Sequence, residues 1–257
     1  MELNLNNKVV VITGGSSGIG KETAFEFLRE GCKVAICGRS QQKLEDTVKE
    51  AKEMGFEIYA ESVNVSNEEE LTSFSKDVAE KYGTIDIWLN NAGSNYIKNM
   101  LDYTADEFRT MVNNLLVSTF VGCQIAAGYM KEHGGVILNA SSFASVIPSA
   151  GRAPYAACKA GVSSLSRSFA AELAPYNIRV LSYIPGMIST GCSSASRGAI
   201  SNYLLSNIPL RRFGEAKDLS KVLVFLASDC ASYMTGTDVL ISGGKFCVQN
   251  PQYAFEK

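Results

Sequence analysis

Histidine is almost missing from this chain: His133 is the only one, and it sits in the polar stretch Lys131-Glu-His-Gly-Gly135. A metal site would lose its commonest nitrogen ligand, so His133 reads as a solvated turn residue and no metal is expected. Paired cysteines are missing too. The seven cysteines, at 32, 37, 123, 158, 192, 230 and 247, form no Cys-x-x-Cys and mostly lie within apolar runs. They read as buried free thiols, which fits a reducing cytoplasm. No block of one charge sign stands out, and 24 Lys+Arg against 26 Asp+Glu leave a net charge of −2. That balance argues against nucleic acid or an anionic membrane as a partner. No run of about 18 apolar residues occurs, and Met1-Glu-Leu-Asn-Leu-Asn-Asn-Lys8 lacks a charged-then-apolar signal pattern. A cytoplasmic location is expected. Linkers, repeats and low-complexity segments are also lacking, so residues 1–257 read as a single domain.

What is present is alternation. Short β-branched runs at Lys8–Thr13, Lys33–Cys37, Glu57–Val63, Ile85–Asn90, Val136–Ala140, Arg179–Ile184 and Asp238–Ile241 are separated by longer helical patterns. Those patterns cover Lys21–Arg29, Gln41–Met54, Asn67–Tyr82, Thr104–Lys131, Ala153–Leu173 and Ala216–Ala227. Strand and helix in strict turn specify a doubly wound parallel α/β sheet of Rossmann type, with helices on both faces.

Chemistry gathers at the strand ends. After the first strand comes Gly14-Gly-Ser16-Ser17-Gly18-Ile19-Gly20, leading into a helix. Glycines there let backbone approach a pyrophosphate, and the helix start offers free N–H groups. The second strand ends in Cys37-Gly38-Arg39-Ser40 with no carboxylate to bind a ribose 2′-hydroxyl. A guanidinium in that place suits a 2′-phosphate, and NADP(H) is favoured over NAD(H). Further along, Ser142 follows a strand, and Tyr155 and Lys159 stand at i and i+4 on a helix, sharing one face. An ammonium beside a phenol is expected to draw the phenol's pKa down towards neutrality and make it a usable acid. Pro185-Gly186 marks a loop at a strand's carboxyl end, where open sheets bind ligands. The stretch of about residues 190–213 reads as a lid over substrate.

With these motifs in hand, the chain resembles the short-chain dehydrogenase/reductase family over nearly its whole length, and in particular NADP(H)-dependent 3-oxoacyl reductase-like members. The resemblance rests on Thr13-Gly14-x-x-x-Gly18-x-Gly20, Asn90-Asn91-Ala92-Gly93, Ser142 with Tyr155-x-x-x-Lys159, and Pro185-Gly186 with Thr190. It implies Tyr155 as general acid/base, Ser142 as the group positioning a carbonyl or alcohol, and Lys159 on the nicotinamide ribose. It implies cofactor contacts from Asn64, Val65, Asn91, Ala92 and Gly93, with Ile188 and Thr190 holding the carboxamide. A homotetramer packed through the Thr104–Lys131 and Ala153–Leu173 helices is implied as well. Enoyl reductases of the superfamily space their Tyr and Lys more widely, so the resemblance favours a carbonyl reductase acting on a 3-oxoacyl, small or steroid-like ketone. Family members usually have Asp near Asn64, Asn at Leu181 and Asp at Ser242. The family's fourth catalytic residue, an Asn holding a relay water, falls on Leu115. That departure motivates the opposing reading of a catalytically silent NADPH-binding regulator: either the relay is rebuilt or turnover is slowed, and Leu115, flanked by Val112 and Leu116, reads as core.

Overall fold

A computed structural model describes residues 2–189, 199–245 and 247–255, with the side chains of residues 199–201 excepted. Seven parallel strands form one sheet in the order β3-β2-β1-β4-β5-β6-β9. They are β1 (Val9–Thr13), β2 (Lys33–Gly38), β3 (Ile58–Ser62), β4 (Ile87–Asn90), β5 (Gly135–Ala140), β6 (Ile178–Pro185) and β9 (Asp238–Ile241). Two very short strands, β7 (Ile188–Ser189) and β8 (Gly214–Glu215), pair beyond the main sheet's edge. The sequence pattern did not contain them, since two residues carry no periodicity.

Both sheet faces are buried, which is why the central strands read as continuous apolar runs rather than alternating ones. Val10 and Ile12 of β1 join one core with helices α1 (Gly18–Arg29), α2 (Gln41–Glu53) and α8 (Ala216–Ala227). Val9 and Val11, pointing the other way, join a second core with α3 (Glu68–Tyr82), α5 (Ser118–Met130) and α6 (Ala153–Leu173). Trp88, Phe25, Phe27 and Phe74 are among the largest fully buried side chains. Helix starts follow local chemistry. Asn67 accepts from the N–H groups of Glu69 and Glu70 at the head of α3, and Thr104 and Glu107 cap each other's backbone at the head of α4 (Ala105–Val112).

The expected single helix Thr104–Lys131 is corrected in its middle. α4 and α5 are joined by a π-helical turn at Asn113–Val117. One extra residue per turn shifts the facing of everything that follows, and such turns concentrate at functional sites. The helical stretch Ala105–Met130 is long and apolar enough to cross a membrane by length and composition, and it packs here against β4, α3 and α6. Of the expected lid, residues 190–198 lie outside the described residues, and α7 (Ala199–Ser206) follows them.

Because all main-sheet pairings are parallel, the strands' carboxyl ends share one edge. Thr13 lies beside Cys37 on one side and Asn90 on the other, Asn90 beside Asn139, and Ala140 beside Tyr183. The strand order reverses direction between β1 and β4, and a crevice opens there.

Candidate active site

Glycine at two positions is what closes the crevice floor. Gly14 has φ of 68°, and a Cβ on it would stand 2.8 Å from the Ala92 Cα. A Cβ on Gly20 would stand 2.5 Å from Asn91 Nδ2 and would also strike the Gly14 carbonyl oxygen. That close approach is held by hydrogen bonds. The Thr13 hydroxyl accepts from the N–H groups of Asn91 and Ala92, each at 3.1 Å. Asn91 Nδ2 donates to the Thr13 and Gly14 carbonyls at 3.2 Å each, and Asn91 Oδ1 accepts from the Tyr183 hydroxyl at 2.9 Å. One amide thus ties the glycine loop, β4 and β6 together.

Of the residues expected to hold a cofactor, Gly14, Ser16, Ser17, Gly18, Ile19, Arg39, Ser40, Asn64, Val65, Asn91, Ala92 and Gly93 line one groove. Gly20 lies behind its wall, against Asn91. Pro185, Gly186 and Ile188 line an adjoining pocket together with Ser142, Tyr155 and Lys159. Thr190 lies outside the described residues. Groove and pocket share Ile19, Asn91, Gly93 and Ser94. Ser17 stands at the head of α1 but its side chain makes no capping bond, so the first N–H groups of a twelve-residue helix meet the groove without a protein side-chain cap. Free donors and the positive end of the helix dipole suit a pyrophosphate, and the groove fits a nicotinamide dinucleotide. Lys43 lines the same end as Arg39 and was not expected. It sits one helical turn after Ser40, whose side chain faces its N–H at 3.5 Å, so the first turn of α2 held the available signal. Asp46 also lines that end, with its carboxylate accepting from Gln42 Nε2 at 3.0 Å.

Ser142 lies two residues past the end of β5 in extended conformation and is 6% exposed; its Oγ accepts from the Ala144 N–H at 3.2 Å. Its neighbour Ser141 donates to the Lys159 carbonyl at 3.0 Å and shares a 2.8 Å hydrogen bond with Ser163, fastening α6 to the strand end. That contact brings the Ser142 hydroxyl to the Tyr155 phenol, 13 positions further along the sequence.

The expected electrostatics of the tyrosine are corrected. Burial pushes the Tyr155 pKa up, while the Ser142 hydrogen bond and then the Arg152 charge oppose that rise. Lys159 is buried, its Nζ donates to the Ala140 carbonyl at 2.5 Å, and burial pushes its own pKa down to about 8. Its Nζ stands 5.9 Å from the Tyr155 ring centre. The i, i+4 spacing placed the two on one face correctly, but a carbonyl at the end of β5 claims the ammonium. Arg152, missed in the sequence, is the cation that acts on the phenol.

The structure shows how Leu115 is packed. It is 1% exposed and packs with Met111 and Cys158, with Tyr155 and Leu116 against the same cluster. A Cβ on Gly93 would come within 3.0 Å of its Cδ2. Its carbonyl accepts from the Thr119 hydroxyl at 2.8 Å. Asn113 is exposed, and Asn114 lines the groove with its Oδ1 accepting from the Ser66 hydroxyl. Leucine here is core.

Sheet order, glycine-loop groove and the adjoining Ser-Tyr-Lys pocket define a nucleotide-dependent oxidoreductase of the doubly wound class. The matching family model, described as enoyl-(acyl carrier protein) reductase, spans residues 14–245. The chain belongs to the short-chain dehydrogenase/reductase family. It is 36% identical over 243 residues to a 3-oxoacyl-[acyl-carrier-protein] reductase FabG of Thermotoga maritima, covering 94% of this chain and 99% of that one. To a 3alpha-hydroxysteroid dehydrogenase of Mediterraneibacter gnavus it is 35% identical, covering 95% and 98%. Among solved structures, a 7 alpha-hydroxysteroid dehydrogenase complexed with NADH and 7-oxo glycochenodeoxycholic acid superposes with a TM-score of 0.90. It is 31% identical, with 95% of this chain and 96% of that chain covered.

Asparagine at Leu115 would bury an amide among Met111, Cys158 and Gly93 without a partner, at a cost of about 1–3 kcal/mol. Leu115→Asn is expected to lower the melting temperature without raising kcat. Measuring both on one preparation checks this, and a faster enzyme of unchanged melting temperature would contradict it.

Proposed function

We propose that this oxidoreductase moves hydride between NADP(H) and a ketone or secondary alcohol, with Tyr155 as proton donor and acceptor. The observation that carries the reading is the convergence of Ser142, Tyr155 and Lys159 in a pocket that opens onto the glycine-loop groove. When bound, the nicotinamide supplies and accepts the hydride. The chain supplies the rest. The α1 N-terminus and glycine loop take the pyrophosphate, Arg39 and Lys43 take the 2′-phosphate, and Lys159 holds the nicotinamide ribose with the donors its Ala140 bond leaves. Ser142 fixes the substrate oxygen beside the phenol, and Tyr155 donates its proton as the oxygen gains negative charge. Burial keeps that phenol protonated through neutral pH. Ketone reduction is therefore sustained there and falls as pH rises through the phenol's pKa, whereas alcohol oxidation needs the phenolate and rises over the same range. A ketone is favoured over a C=C substrate because Tyr155 and Lys159 are four apart rather than spaced as in enoyl reductases. Both 3-oxoacyl and steroid-like ketones agree with the relatives' names.

The same reading includes a homotetramer. Phe108, Val117 and Phe120 on the α4–α5 helix are 44%, 43% and 37% exposed. Phe120 pairs with Phe169 of α6 at a ring separation of 5.7 Å, so the apolar patch spans both helices. Light scattering of the purified protein is expected to give four chains, and a monomer at micromolar concentration would refute it.

Tyr155→Phe keeps the ring and removes the acid. Its kcat is expected to drop by roughly 10² to 10⁴ while NADPH affinity, read by fluorescence titration, stays unchanged. Losing a hydrogen bond to a charged group costs about 1.5–3 kcal/mol, so Arg39→Ala should raise the KM for NADPH by roughly tenfold or more. The KM for NADH should hardly move. Equal changes for both cofactors would remove the argument for NADP(H).

A further inference from the structure

The geometry points to Arg152 as a specificity-determining residue that binds an anionic group, a carboxylate foremost, carried by the substrate close to its reacting carbonyl. This rests on the ketoreductase reading and names the substrate class for the same pocket.

Arg152 stands at the head of α6, three residues before Tyr155, and lines the pocket with Ser142 and Lys159. Three positions apart at a helix start, its side chain and the phenol are neighbours. Among the described residues no carboxylate forms an ion pair with Arg152, and none lines the pocket, whereas Arg152 and Lys159 both do. A guanidinium offers five donors in a planar fork that matches a carboxylate bidentately, and it stays charged at any working pH. Lys159 differs: one of its ammonium donors goes to the Ala140 carbonyl, and the ketoreductase reading assigns the rest to the nicotinamide ribose. Arg152 is thus the charge left to meet a ligand beside the phenol, in a half-buried place where screening by solvent is reduced. Phe143 also lines the pocket, and the loops around it carry exposed Ile97, Val146 and Ile147. These loops meet where the Lys98 N–H donates to the Gly151 carbonyl at 3.0 Å. A ketone with its charge near the carbonyl and an apolar remainder fits this division.

The test is kcat/KM with NADPH for two matched pairs, 3-oxobutanoate with its methyl ester and 4-oxopentanoate with its methyl ester, alongside cyclohexanone as a neutral ketone. The wild type is expected to prefer the acid of at least one pair by roughly tenfold or more, the scale of a charge-assisted hydrogen bond. Arg152→Met should bring the acid-to-ester ratio of kcat/KM close to one, with cyclohexanone reporting separately any effect carried through the phenol, and Arg152→Lys should keep part of the preference. NADPH fluorescence titration and the melting temperature of each variant establish that it is folded. Esters reduced as well as acids by the wild type would overturn the inference. So would Arg152→Met lowering acid, ester and cyclohexanone by one common factor, because the arginine would then act only through the tyrosine. Reduction of cyclohexanone with neither acid turned over also overturns it. Failure to oxidise NADPH with all of these and with a broad ketone panel would instead overturn the ketoreductase reading.

Discussion

The Thr13–Asn91 clasp is the constraint on which the rest depends. It bridges β1 and β4 where the strand order reverses, and its side chains spend their donors and acceptors on the two loops that wall the groove. Gly14 and Gly20 are required because the clasp draws the chains too close for a Cβ. Through the Tyr183 hydroxyl the same amide reaches β6, whose end forms the floor of the reaction pocket. A second buried amide set supports it from below. Trp88 Nε1 donates to Asn90 at 2.8 Å, Asn90 to Asn139 at 2.8 Å, and Asn139 to Ser166 at 3.0 Å. Every member is satisfied, so the network fixes β4, β5 and α6 in register rather than weakening the core.

On that frame, burial dominates the electrostatics of the pocket. Tyr155 and Lys159 are each displaced in the direction that favours their neutral forms. A buried phenol that stays protonated at neutral pH is a competent acid for a developing alkoxide. Arg152 and Lys159 are the charged groups lining the pocket, while Leu115, Met111 and Cys158 form a buried apolar cluster that Tyr155 packs against.

The fold was legible because strands buried on both faces must be runs of β-branched and apolar residues, and because capping residues such as Asn67 and Thr104 mark helix starts within a residue. The Ser142, Tyr155 and Lys159 convergence was legible for the same reason: strand end and helix face are both periodic features. Other parts were not. The π turn at Asn113–Val117 has no residue pattern of its own, and it lies where the α4–α5 helix packs on α6. The direction of the Lys159 ammonium depends on the Ala140 carbonyl, a backbone group that sequence does not display. Tyr183 lay hidden in an apolar strand, although a buried phenol needs a hydrogen-bond partner. Arg152 looked like any loop arginine until the helix start was aimed at the pocket.

The central claim is that the pocket holds a ketone carbon within reach of hydride from NADPH in the adjoining groove. Stopped-flow single turnover, following the nicotinamide absorbance with protium or deuterium at the transferring carbon, tests it most directly. The account gives one NADPH oxidised per site on mixing with a reducible ketone, with slower decay for the deuterated cofactor. Tight NADPH binding with no oxidation against any ketone would contradict it and leave a cofactor-binding protein without the chemistry.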